Sequence, residues 1–178
     1  MSHEIATLAG GCFWCLESVF NRICGVASAV SGYMGGHTLN PAYKDICRGD
    51  TGHAEVVQVQ FDPAQISYRE VLDIFFALHD PTQKNRQGND VGTQYRSAIF
   101  YHSPAQQAEA TAMIAQLTAE HAFVKPIVTE VVAAQTFYRA EDYHQGYFDA
   151  NPEQAYCQYV VAPKVVKARA KFAERWKA

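Results

Sequence analysis

The sequence predicts an α+β fold: a two-layer sandwich of helices on a mixed, mostly antiparallel sheet, with a long irregular segment near the C-terminus. Three observations carry this. Strand-like and helix-like stretches follow the order β-α-β-β-α-β-α-β-α-α, not the strict alternation of a parallel sheet. Two helix starts are marked by caps, Ser67 with Glu70 and Ser103 with Pro104. Of 178 residues, 48% are hydrophobic and 19% charged, which suffices for a core. No repeat or low-complexity stretch interrupts the chain, so residues 1–178 are expected to form one domain.

Residues 4–9 (EIATLA) read as a strand ending at Gly10-Gly11. Phe13, Leu16, Phe20 and Ile23 recur at helical spacing, so a helix is expected from Cys12 to about Ile23, with Gly25 closing it. Residues 26–33 read as a strand, and Met34 to Gly52 as a loop. In 53–61 Val57, Val59 and Phe61 alternate with Gln58 and Gln60, the mark of a half-buried strand. The capped helix from Ser67 runs to about Leu78. A polar loop, His79 to Thr93, comes next; long loops within compact domains are usually functional. Residues 95–101 read as a strand, 104 to about 121 as a helix and 127–137 as a strand. A short helix is expected at 141–150, an irregular, mobile segment at about 151–163, and a last helix at about 163–176.

The net charge of −3 gives no general attraction to nucleic acid or acidic membrane. No stretch approaches the roughly 20 apolar residues of a membrane helix, and the N-terminus does not read as a signal peptide. Five cysteines are an odd number in a chain too large to need disulfide staples. A soluble protein of a reducing compartment, the cytoplasm, is expected.

The sequence GGCFWC at 10–15 stands at a strand-to-helix turn. Two glycines permit a sharp turn that leaves the next side chain accessible. Cys12 then falls in the first helical turn, where unpaired N–H groups and the helix dipole favour a thiolate. That makes it the candidate nucleophile. Cys12 and Cys15 also form a C-x-x-C, open to a thioredoxin-like dithiol or half a zinc site. Zinc lacks a second ligand pair, since Cys24 and Cys47 stand alone. Phe13 and Trp14 read as walls for a methyl group or polarised sulfur, with the core as the competing place.

Glu55 lies in GHAEVV at 52–57. It is read onto the Gln58 side of its strand, off the Val57-Val59-Phe61 face, where a solvated charge is the plainer role. In an apolar cleft it would instead keep its proton near neutrality and act as an acid. Tyr43 in NPAYKDI and Tyr95 in DVGTQYRS offer hydroxyls to a substrate oxygen, or are ordinary core-edge rings. EDYHQGYF at 141–148 is a pocket rim or a helix surface. Cys157 either swings from a flexible loop to a distant thiol or stays idle.

Taken in order, GGCFWCLE, SGYMGG, NPAYKDI, TGHAEVVQVQFDP, HDPTQ, NDVGTQYRS and EDYHQGYF make the chain resemble the A type of peptide methionine sulfoxide reductase over roughly residues 5–160. The resemblance implies a two-layer α+β fold and reduction of the S epimer of methionine sulfoxide, free or in peptides. It implies Cys12 as nucleophile, Glu55 as proton donor, Tyr43 and Tyr95 as donors to the sulfoxide oxygen, Phe13 and Trp14 as walls for the methyl group, and Asp90 as an acidic pocket residue. For Glu55 and the tyrosines this reverses the plainer readings. It implies a sulfenic acid on Cys12, then a disulfide, then reduction by thioredoxin, with no metal, flavin or nucleotide.

Many relatives lack a cysteine at the position of Cys15, which makes Cys15 an alternative resolving thiol. Cys157 is favoured, because residues three apart in a helix are constrained and two large aromatics lie between them. No cysteine follows Cys157, so one resolving disulfide attacked directly by the reductant is expected. Cys24 is expected in the core and Cys47 as an exposed bystander. A general dithiol-disulfide oxidoreductase using Cys12 and Cys15 is the alternative function.

Overall fold

The computed structural model describes residues 3–177. Strand β1 (Glu4–Gly10) leads into helix α1 (Phe13–Phe20), and strand β2 (Val26–Met34) returns from it. Helix α2 (Tyr43–Cys47), strand β3 (Ala54–Phe61) and helix α3 (Tyr68–Leu78) follow. A small hairpin, β4 (Arg86–Gln87) and β5 (Asp90–Val91), precedes strand β6 (Ser97–Tyr101) and helix α4 (Pro104–Ala119). Then come β7 (Glu130–Ala133), β8 (Tyr138–Arg139), α5 (Tyr147–Ala150) and α6 (Ala162–Lys171).

Six strands form one sheet in the order β7-β6-β1-β3-β2-β8. Its pairs are antiparallel except β6 with β7. The α+β class and the mostly antiparallel sheet are as expected. The main core lies between the helices and one face of the sheet, where Ala6, Leu8, Val57, Val59 and Phe61 meet Leu16, Phe20, Leu72 and Phe75. Fully burying one such side chain contributes about 1.5–3 kcal/mol, so this layer holds the sheet and helices together. No helix among the described residues is long and apolar enough to cross a membrane.

The capped helices form as read. Ser67 accepts from the Glu70 N–H while Glu70 accepts from the Ser67 N–H, and Ser103 accepts from the Gln106 N–H. Elsewhere the structure corrects the sequence. α1 ends at Phe20, not Ile23, and Cys24 beyond it is exposed, not core. The loop 34–52 contains α2, and the loop 79–93 contains the β4–β5 hairpin. The strand expected at 127–137 is confined to Glu130–Ala133, and the helix expected at 141–150 is two short turns, Asp142–His144 and Tyr147–Ala150.

The largest correction concerns 151–163. Cys157–Val161 is helical, with wide π-type turns, and runs straight into α6; a tight turn at Ala173–Arg175 replaces the end of the expected last helix. Pro163 explains the wide turns. Proline has no N–H to donate and its ring presses on the carbonyl four residues back, so widening the preceding turn relieves both. From residue 155 onward the segment read as loop is therefore a deformed helix, while 151–154 stay irregular as expected.

Candidate active site

The site is assembled around the start of α1. Gly11 has φ +89°, and a Cβ there would lie 2.7 Å from Cγ of Gln87. Only glycine lets the β4–β5 hairpin close over this turn. Gln87 fixes that hairpin by accepting from the Asp80 N–H (2.9 Å) and donating to the Asp80 carbonyl (3.0 Å). Asp90 follows on β5, and its carboxylate accepts the Tyr156 hydroxyl at 2.5 Å.

Cys12 caps α1 from an extended backbone (φ −63°, ψ 127°) and is 8% exposed. The thiolate expected from the helix start is not its resting state. Burial pushes the Cys12 thiol well up, and the neighbouring Glu55 and Cys15 add to the rise. The Trp14 N–H and Tyr156 hydroxyl oppose it without reversing it. Desolvation here outweighs the helix dipole, whose favour is typically about 0.3–1 kcal/mol.

Glu55 is 2% exposed and accepts the Phe13 N–H at 3.2 Å. It stands two residues from Val57, on the same helix-facing side of β3, not on the Gln58 side. Burial pushes its carboxyl up to about 8, against the Phe13 bond, and Asp90 adds to the rise. At neutral pH Glu55 holds a proton beside a thiol that also holds one.

Tyr43 opens α2 and Tyr95 ends the tight turn Thr93–Tyr95, so neither lies on a sheet strand. Both hydroxyls are held as phenols by burial first, then by the charge of Glu55. Glu141 anchors Tyr43: it accepts the Tyr43 N–H (2.8 Å) and the Tyr33 hydroxyl (3.0 Å). Gln145 ties the same segment to β2, accepting the Ser31 N–H (3.0 Å) and donating to the Ser31 carbonyl (2.9 Å).

Phe13 is fully buried, 5.7 Å from the Tyr33 ring and 5.1 Å from the His144 ring. Trp14 is partly exposed. It stacks on Tyr147 at 3.9 Å, meets Tyr156 edge-on at 5.7 Å, and donates Nε1–H to Nδ1 of His144 at 3.0 Å. That bond places the proton of neutral His144 on Nε2, which finds no partner among the described residues.

Cys157 is wholly buried, neither idle at the surface nor in a loop. It packs with Cys15 and Val161, whereas Cys12 belongs to the main core. Cys47 is exposed, as expected, and its thiol lies close enough to the Tyr43 hydroxyl to help hold it as a phenol. Sequence reasoning gave no role to Glu141, Tyr156 or Tyr33. The density of EDYHQGYF was the available signal for Glu141, and adjacency to Cys157 was the signal for Tyr156. Among the described residues no group of three or more His, Cys, Asp or Glu side chains could hold a metal ion.

A buried thiol at a helix start, a protonated carboxyl beside it and two neutral phenols form the equipment of a thiol-dependent reductase of a polar oxygen. The profile of the family "Peptide methionine sulfoxide reductase" matches residues 4–176. The chain is 59% identical over 179 residues to the peptide methionine sulfoxide reductase MsrA of Ralstonia nicotianae, covering 98% of this chain and 94% of that one. The reduced form of Mxr1 from Saccharomyces cerevisiae superposes with a TM-score of 0.79 at 38% identity, over 87% of this chain and 89% of that chain. Mxr1 crystallised in complex with Trx2 superposes with a TM-score of 0.56 at 29% identity, over 82% and 84%. The chain belongs to the peptide methionine sulfoxide reductase family.

Proposed function

We propose that the whole chain, as one domain in the reducing cytoplasm, reduces the S epimer of methionine sulfoxide in peptides and proteins. The observation that carries this reading is the buried Glu55 carboxyl, raised to about 8 and bonded to the N–H next to Cys12. Sulfoxide oxygen must be protonated as its bond to sulfur weakens, and an acid that keeps its proton at neutral pH serves that need.

Cys12 attacks the sulfur. Glu55 gives its proton to the oxygen and is refilled by the Cys12 thiol proton. Tyr43 and Tyr95, kept as phenols, donate to the same oxygen as charge builds on it. Asp90 positions Tyr156 against the thiol, and Trp14 offers its face to the methyl group. The net step is balanced: thiol plus sulfoxide gives methionine plus a sulfenic acid on Cys12. Its oxidation leaves through a disulfide that includes Cys157, opened by a thioredoxin dithiol. The Mxr1–Trx2 complex supports that partner class.

The test is reduction of the separated S and R epimers of a methionine sulfoxide peptide with dithiothreitol. Turnover of S alone, lost in Cys12→Ser, is expected. Turnover of neither epimer would overturn the reading and favour a general dithiol oxidoreductase, which insulin reduction would then reveal.

A further inference from the structure

Three of the five cysteines stand in sequence across the start of α1. Cys15 lies one turn after Cys12, and its N–H donates to the Cys12 carbonyl at 3.3 Å. Side chains three apart on a helix have Cβ atoms about 5–6 Å apart, more than the about 3.5–4.5 Å between the Cβ atoms of a disulfide, so such a pair closes only where one backbone can move. Cys12 is the cap, with extended backbone, so it is free of the helical constraint that would hold two interior residues apart.

On its other side Cys15 shares a buried apolar cluster with Cys157 and Val161. Tyr156 accounts for this pairing. Its backbone is helical (φ −61°, ψ −40°), so its side chain and that of Cys157 leave the axis about 100° apart. Tyr156 takes the side facing the pocket, bonding Asp90 at 2.5 Å with its hydroxyl beside the Cys12 thiol. Cys157 is thereby turned to Cys15. A direct encounter of Cys157 with Cys12 would first require that bond to break and that turn to rotate.

We infer that Cys15 is an obligatory relay thiol between Cys12 and Cys157. In the first step Cys15 sulfur bonds the sulfenic sulfur of Cys12, the S–O bond breaks, and the hydroxyl leaves with the Cys15 proton as water. In the second step Cys157 attacks Cys15, the Cys12–Cys15 bond breaks, and Cys12 recovers the proton given up by Cys157. No outside oxidant or reductant enters. The oxidation has moved from the pocket to the α6 cluster, and Cys12 is a thiol again. Burial pushes the Cys15 thiol up to about 11, opposed by Lys164, so its neutral-pH thiolate fraction is only about 10⁻⁴. Well-oriented neighbouring groups reach effective molarities of about 10⁵–10⁸ M, which outweighs that deficit.

The relay rests on Cys12 as nucleophile, and the experiment separates the two. The enzyme is oxidised with excess methionine sulfoxide peptide and no reductant, alkylated, digested and mapped, with dimedone to trap sulfenic acid. The relay gives a Cys15–Cys157 crosslink and two equivalents of methionine, the second leaving dimedone-reactive Cys12. Cys157→Ser gives a Cys12–Cys15 crosslink, one equivalent and no dimedone adduct. Cys15→Ala keeps dimedone-reactive Cys12, and its turnover with thioredoxin falls at least about tenfold. A Cys12–Cys157 crosslink in the wild-type enzyme with Cys15 alkylated would overturn the relay, a result that needs no variant to fold. Wild-type turnover by Cys15→Ala would do the same. No methionine and five alkylatable thiols would overturn the Cys12 assignment and the relay with it.

Discussion

The two sides of the α1 start are furnished in opposite ways. Around Cys12 stand Glu55, Tyr43, Tyr95 and the Asp90–Tyr156 pair, all able to hold or pass a proton. Around Cys15 and Cys157 stand Val161, Val160, Val165 and Phe148, together with rings of Trp14, Tyr147 and Tyr156. The difference follows the chemistry each side has to support. Removing oxygen from sulfur makes water and consumes protons. Passing a disulfide between thiols moves only sulfur bonds, and an apolar wall also keeps peroxide and water from a reactive intermediate.

Cys12→Ser is the severest break of this contrast. Methionine formation, followed by chromatography of the peptide, should fall below detection. Glu55→Gln keeps the hydrogen-bonding shape but has no proton to give, and single-turnover rates should fall about 10²–10⁴-fold. The pH profile sharpens the point. A group raised to about 8 is an acid below that pH and loses its proton as pH rises through it. The wild-type chemical step should therefore decline above about pH 8, and the Gln variant should lack that limb.

Tyr43→Phe together with Tyr95→Phe should lower single-turnover rates about 10²-fold with little change in substrate binding, since the phenols act as charge builds on oxygen. A smaller effect is expected on stability. Glu17, on α1, accepts the Gly146 N–H at 2.7 Å. Glu17→Ala leaves that donor without a partner and should cost about 1–3 kcal/mol in urea unfolding. The smallest effect belongs to neither side. Cys24 is exposed beyond the end of α1, and Cys24→Ser should leave thioredoxin-linked turnover unchanged.

What was legible in the sequence depended on how local its cause was. The alternation of Val57, Val59 and Phe61 and the caps at Ser67 and Ser103 announce β3, α3 and α4, because each is set within a few residues. Helix α2 has five residues and Ala42 before it, so it shows neither an apolar stripe nor a polar cap. Glu55 lies on the odd-numbered face with Val57, but the sequence reading puts it on the Gln58 side, where a lone carboxylate looks like a solvated charge. The YVVAPK stretch looked like loop because of Pro163, whose effect the wide turns absorb.

The site divides the same way. The helix-start position of Cys12 follows from GGCFWC. Its protonation does not, because it comes from burial under the packed fold and from the carboxyl of Glu55, 43 positions away in the chain. The tie between Tyr156 and Asp90, which turns Cys157 away from Cys12, is equally non-local.

Trp14 has a consequence for anyone following the reaction with light. Its indole lies parallel to Tyr147 at 3.9 Å and packs on the cluster that contains Cys15 and Cys157. The only other indole, Trp176, sits beyond the opposite end of α1, bridged to Ile23, outside the cluster of Cys15 and Cys157. A disulfide accepts an electron from an excited indole in contact with it, and a thiol does so far less. The emission of Trp14 should therefore dim when the cluster is oxidised and brighten when it is reduced. Trp14→Phe would abolish the signal, while Trp176→Phe would preserve it and remove the constant background.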